Sequence, residues 1–125
     1  MIFVGTDIVS IKRIEQLIND KGDHFLNHIF TKKEQKYCNQ KIDSRLHYGG
    51  KFAAKESVKK AMLSSKIISN LSLLNIEVYN DDDGSPFINI NDIELNYSQC
   101  QISISHINDY ATAVAILVIN ETDII

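Results

Sequence analysis

Apolar residues follow a helical period in the first half of this chain and a mostly alternating one in the second. Residues 2 to 8 read as a buried strand ending at Gly5-Thr6-Asp7. Ser10 is placed to cap a helix whose apolar positions Ile11, Ile14, Leu17 and Ile18 keep helical spacing and which closes near Gly22. Phe25, Leu26 and Ile29 form a short apolar turn, and Thr31-Lys32-Lys33-Glu34 is a capping box with Glu34 reaching back to the helix start. A longer helix is expected over residues 44 to 62, after which the period changes. Residues 73 to 79 predict a strand, Asp81-Asp82-Asp83-Gly84 a tight turn, and Phe87, Ile88 and Ile90 the start of the partner strand. Residues 93 to 97 alternate but suit strand or helix, whereas residues 101 to 106 and 111 to 119 read as strands. Helices followed by antiparallel strands predict an α+β fold: one antiparallel sheet with helices packed on one side. No repeat or linker divides the chain, so residues 1–125 are expected to form a single domain.

Composition narrows the function. A chain of 125 residues with 44% hydrophobic and 23% charged residues can bury a core without disulfides. It has little surface to spare for an elaborate cleft, which makes a site shared between subunits physically attractive. A net charge of -3 argues against nucleic acid as a partner. Yet Lys51, Lys55, Lys59, Lys60 and Lys66 make one stretch locally basic, which suits a compact phosphate-bearing ligand. Cys38 and Cys100 sit in no metal-binding spacing and read as free thiols of a reducing compartment. The opening residues carry no basic leader segment, and the apolar run at 113–119 is too short to cross a membrane. A cytoplasmic protein without a membrane partner is expected.

Three stretches could carry chemistry. Asp7, just after Gly5 at the expected strand end, could project a carboxylate into a cleft; taken alone, it reads equally as a turn aspartate. Within Gly49-Gly50-Lys51-Phe52-Ala53-Ala54-Lys55-Glu56-Ser57-Val58-Lys59-Lys60-Ala61, two glycines cost a helix about 1 kcal/mol each against alanine. Close approach of a ligand or another backbone would offset that. Phe52, Glu56 and Lys60 stand four apart and share a helix face. Glu56 beside Lys60 could serve a metal-bound diphosphate or be an ordinary surface ion pair. In Ile102-Ser103-Ile104-Ser105-His106, the terminal His106 could donate to a phosphate oxygen or be a satisfied imidazole. Ser105 and His106 point to opposite faces, which argues against a serine–histidine nucleophile. His24, His28 and His47 are assigned to solvated helix surface. A calcium loop over the aspartate run would need carboxylates at positions 79 and 90, which hold Tyr79 and Ile90.

In order and spacing, these pieces resemble the holo-acyl-carrier-protein synthases, the small bacterial type of 4'-phosphopantetheinyl transferase. The resemblance rests on Gly5-Thr6-Asp7-Ile8-Val9 with Ile11, Arg13 and Ile14, on Thr31 to Glu34, and on Gly50-Lys51-Phe52-Ala53-Ala54-Lys55-Glu56-Ser57 with Lys60-Ala61. Ile76-Glu77-Val78, Gly84-Ser85-Pro86, residues 102 to 106 and Tyr110-Ala111 complete it. The chain departs from the family pattern at Lys51, where arginine is usual, and at Ser57, where alanine is common. Met62-Leu63-Ser64-Ser65-Lys66 stands in place of a glycine-threonine-glycine loop, and Ser85 in place of a central lysine.

The resemblance implies magnesium-dependent transfer of 4'-phosphopantetheine from coenzyme A to a serine of acyl carrier protein, in fatty acid biosynthesis. Asp7 and Glu56 would be the metal ligands and, with Lys60, the catalytic set. Lys60, Lys51 and His106 would contact coenzyme A. Arg13, with Lys12 beside it and Phe25 beyond, would dock the carrier protein. A homotrimer with interfacial sites is implied too. The general base stays open between a metal-bound water, Glu34 and another carboxylate. The alternative is a non-enzymatic trimeric nucleotide- or coenzyme A-binding protein on the same scaffold.

Overall fold

A computed structural model describes residues 1–91, 97 and 99–120, so the ambiguous stretch at 93 to 97 lies outside the described residues except for Tyr97. Strand β1, Ile2–Ser10, leads straight into helix α1, Ile11–Lys21, because the Ser10 side chain caps the helix by accepting the Arg13 N–H at 3.2 Å. Gly22, at φ 53°, separates α1 from a second short helix, α2, Asp23–Ile29, where only an apolar turn was expected. Helix α3, Lys32–Asn39, opens on the expected capping box with both reciprocal bonds formed. The long helix α4 covers Ser44–Ser64. A 3-10 turn at Leu73–Asn75 replaces the start of the next expected strand. Strands β2, Ile76–Asn80, β3, Pro86–Ile90, β4, Gln99–His106, and β5, Tyr110–Val118, complete the described elements.

The fold is α+β with antiparallel pairing, but the described strands divide between two sheets rather than forming the one expected. A three-stranded sheet has the order β1-β5-β4, and β2-β3 is a separate hairpin. Helix α4 lies across the first sheet. The inward residues of β5 are Ala111, Ala113, Ala115 and Leu117, and the facing side of α4 buries Ala53, Ala54, Ser57 and Ala61. Small residues on both sides bring the helix axis close to the strands.

Gly5 shows how close. A Cβ built there would lie 1.9 Å from the Ser57 carbonyl oxygen. This glycine is required by the helix above it, not by a turn, and β1 runs through it to Ser10. Asp7 is therefore an interior strand residue, which corrects its expected position at a strand end. Gly49 and Gly50 are explained similarly: a Cβ at Gly49 would meet the Ile11 side chain at 2.5 Å, and one at Gly50 the Ile104 side chain at 3.1 Å. Core side chains occupy the space those glycines leave, and Gly50 also lines a cleft.

On the opposite face, β1 and the adjoining part of β5 expose apolar side chains. Ile2, Val4, Ile8 and Ile116 are all exposed, so β1 is buried on one face only.

Candidate functional site

Helix α4 carries two sets of charged side chains with opposite surroundings. Lys55 is fully buried and ion-paired with Glu34, itself 1% exposed. The second Glu34 oxygen accepts the Val78 N–H at 2.8 Å. One helical turn earlier, Lys51 donates to the Val78 carbonyl oxygen at 2.9 Å and to Asn80 Oδ1 at 2.7 Å. Glu34 and Lys51 thus satisfy both backbone groups of Val78 on the edge of β2 that no described strand covers, and so tie the hairpin to α3 and α4. Burial pulls the Lys51 and Lys55 ammonium groups below the usual lysine range, with Glu34 opposing the shift at both.

Two expectations change here. Glu34 is no candidate for a base acting on substrate, because it is enclosed and both its oxygens are engaged. Lys51 donates to Val78 O and Asn80 Oδ1, its Nζ lies 4.5 Å from the Tyr37 ring centroid, and it is 3% exposed. It forms part of a cleft wall with its ammonium already engaged by the hairpin.

The second set is open to solvent. Asp7 shares a face of β1 with Gly5, which touches Ser57 and Ala61, and with Val9, which packs on Ala53 and Ala54. Asp7 therefore faces α4 beside the turn that carries Glu56. The Lys60 ammonium donates to Asp7 Oδ1 at 3.1 Å and to the Thr6 carbonyl at 2.9 Å. Lys60 is paired with Asp7 rather than with Glu56 one turn before it. Among the described residues Glu56 forms no hydrogen bond or ion pair. The Asp7 side chain is 16% exposed and that of Lys60 55%. Thr112 Oγ1 donates to the Asp7 carbonyl at 2.9 Å and fixes the strand at this point.

This donor set fits magnesium, which takes oxygen ligands and is commonly held by one or two carboxylates plus substrate phosphates. Among the described residues no group of three or more histidine, cysteine, aspartate or glutamate side chains could hold a metal. Oxygens beyond these two carboxylates would have to come from substrate and water.

A cleft of about 300 Å³ opens on the other side of α4. His47, Lys51, Asn80, Ser103 and His106 are among the residues that line it. His106 stands exposed at the end of β4, as expected. His47 does not belong to free helix surface: its ring lies 6.3 Å from that of His106 and edge-on to Tyr37 at 6.0 Å. Helical phase separates His47 from Glu56 by about 180° around α4. In the sheet, His106 lies on β4 and Asp7 on β1, with β5 between them. The expected site residues therefore fall into two groups on opposite edges of one sheet: Asp7, Glu56 and Lys60 at one, and His106 with the Lys51 wall at the other.

Arg13 and Lys12 are exposed on α1. Phe25 is not: it packs edge-on against Phe30 in the cluster with Ile14 and Tyr48. It supports α1 from beneath, which corrects its expected role as a docking contact. Cys38 and Cys100 are both free, and burial pushes the Cys38 thiol up to about 12. The segment that departs from the family loop ends α4 with Ser64 and Ser65 donating to the Ala61 and Met62 carbonyls, and it holds Lys66 at φ 66°.

Residues 3–115 match the family model of the 4'-phosphopantetheinyl transferase superfamily. The chain is 43% identical to the holo-(acyl-carrier-protein) synthase of Protochlamydia amoebophila, over 90% of its own length and 94% of the relative's. The crystal structure of the Helicobacter pylori holo-(acyl-carrier-protein) synthase in complex with coenzyme A superposes with a TM-score of 0.79 at 32% identity, covering 91% of this chain and 98% of that one. The fold also matches the Chronobacterium ammoniagenes ACPS-CoA complex, with a TM-score of 0.83 at 24% identity over 97% and 99% of the two chains. By sequence and by fold, this chain belongs to the holo-(acyl-carrier-protein) synthases of the 4'-phosphopantetheinyl transferase superfamily.

Proposed function

We propose that this chain transfers the 4'-phosphopantetheine arm of coenzyme A to a serine of an apo acyl carrier protein and releases 3',5'-adenosine diphosphate. Family membership supports the reaction class, and two related structures are coenzyme A complexes. The observation that carries the assignment is the group at the β1 edge, where a fixed aspartate and an accessible ammonium meet beside the turn of Glu56.

Asp7 and Glu56 would hold magnesium, which when bound neutralises charge on the diphosphate and polarises its phosphorus. Lys60, its side chain 55% exposed, would exchange Asp7 for a diphosphate oxygen, where negative charge grows as the bridging P–O bond breaks. The carrier serine oxygen forms the new P–O bond, its proton is lost, and the leaving nucleotide keeps the electron pair of the broken bond. His106 is assigned to the nucleotide phosphates, and Lys51 to holding the hairpin wall they lie against.

The two groups of residues lie on opposite sheet edges, so we infer that a complete site joins the β1 edge of one copy to the β4 edge of the next. A head-to-tail contact closes into a ring when the rotation between copies completes a turn, and the exposed Ile2, Val4, Ile8 and Ile116 give it an apolar face. A homotrimer is the reading we adopt. Arg13, with Lys12, is the basic surface for an acidic carrier protein. Residues 1–125 are taken as one domain acting in the cytoplasm.

The test is to incubate the chain with coenzyme A, magnesium and apo-carrier protein and then weigh the carrier. The carrier should gain one phosphopantetheine arm, and should gain none with Asp7→Ala or Glu56→Ala chains that keep their circular dichroism. An unmodified carrier with the unsubstituted chain, alongside tight coenzyme A binding, would favour a binding protein instead.

A further inference from the structure

We propose that His47 joins His106 as a second imidazole donor to a phosphate group bound in the cleft, and that it takes up a proton when that anion arrives. The inference rests on reading the cleft as the nucleotide end of the coenzyme A site. A phosphomonoester carries between one and two negative charges near neutral pH. The Lys51 ammonium is already committed to Val78, Asn80 and the Tyr37 face, and the Lys41 ammonium sits over the Tyr37 ring at 4.6 Å. Of the described lining side chains that can carry positive charge, the two imidazoles remain.

Their geometry suits the task. The ring centroids are 6.3 Å apart and the planes are inclined by 59°. Donors reach oxygen acceptors at about 3 Å, so a single tetrahedral anion can bridge rings at this spacing. Tyr37 packs edge-on against His47, at 73° between planes, and limits its rotation.

The charged and titratable groups around His47 are Tyr37 from α3, Lys41 from the segment after α3, Lys51 on α4, His106 from β4 and Asp43 at the head of α4. Asp43 is the one acid among them, and it is bonded to Arg45 Nε at 3.1 Å. Burial foremost, then Lys41, His106 and Lys51, hold the His47 imidazole below its ordinary range, so the ligand-free chain keeps it neutral near pH 7. A bound dianion reverses that balance and raises its proton affinity. Ligand binding should then strengthen as pH falls from about 8 to about 6.

Isothermal titration calorimetry of the whole chain with adenosine 3',5'-bisphosphate, in two buffers of different ionisation enthalpy, counts the protons taken up. His47→Phe keeps the ring packing, and His47→Gln keeps an amide donor that does not titrate. The unsubstituted chain should take up more protons per bound nucleotide than either variant, by up to about one. The gain in affinity between about pH 8 and about pH 6 should shrink by several-fold in both. The ligand's own titration is common to all three chains and cancels in the comparison. Equal proton counts and equal pH slopes in the three chains would overturn the inference while leaving the site reading intact. Failure of the unsubstituted chain to bind the nucleotide at all would overturn both.

Discussion

Helix α4 presents the same residue types to two environments, and the contrast separates architecture from chemistry. On one side Lys51 and Lys55 are buried, and their charges are matched by Glu34 and by the free edge of β2. On the other, Glu56 is partly buried and the exposed Lys60 ammonium pairs directly with Asp7. A buried pair is strongly destabilising to break, because the remaining charge is left uncompensated. An exposed pair contributes little to stability and can exchange partners at small cost. The buried side is built to stay as it is. The exposed Lys60 is free to trade one oxygen for another, as the diphosphate-binding role proposed for it requires.

Substitutions on the two sides should have opposite readouts. The largest effect is expected from Glu34→Ala, which strands the Lys55 charge and releases the Val78 N–H; chemical denaturation should show a loss of about 3–5 kcal/mol. Little change would place Glu34 outside the frame of the fold. Next, Asp7→Ala and Glu56→Ala should each lower kcat/KM for transfer by about 10²–10³ or more while the denaturation midpoint stays nearly constant. Activity within a few-fold of normal in either would remove that residue from the catalytic set. Lys60→Met should lower kcat by about 10² with stability shifted by no more than about 0.5 kcal/mol, and a loss of stability instead would make it a structural lysine. The smallest effect belongs to Lys66, held in the left-handed region at the end of the same helix. Lys66→Gly should stabilise the chain by about 1 kcal/mol, and a destabilised variant would mean that the side chain makes a compensating contact.

The local features were the legible ones. Ser10 caps the helix that the spacing of Ile11, Ile14 and Leu17 implies, and Thr31 caps its helix as Glu34 three residues on implies, since a cap is settled within one turn. What the sequence hides is the second use of a residue by a distant partner. Glu34 completes its capping box and also binds Lys55 and Val78, and no local pattern announces those longer reaches. Gly5 reads as a turn because sequence does not distinguish a glycine needed for its backbone angles from one needed for a close approach. The contact that decides it comes from Ser57. His47 looks solvated on a helical wheel, yet β4 brings His106 over it from far along the chain. Phe25 reads as a surface contact only while the edge-on packing with Phe30 is unknown. Asp7, Glu56 and Lys60 entered the proposed site through an ordered family resemblance; the split of that site between two sheet edges had no such signal, because it depends on strand order.

That split makes the most direct measurement a complementation assay. Asp7→Ala removes one half of the proposed site, and His106→Glu sets a carboxylate against the phosphates in the cleft that forms the other half. Each chain alone should fail to modify the carrier protein. Unfolded together and refolded as mixed rings, they should regain activity at about a quarter of the sites, where an intact β1 edge meets an intact cleft. No recovery from mixed rings whose formation is verified by size and mass would contradict a site shared between neighbouring chains.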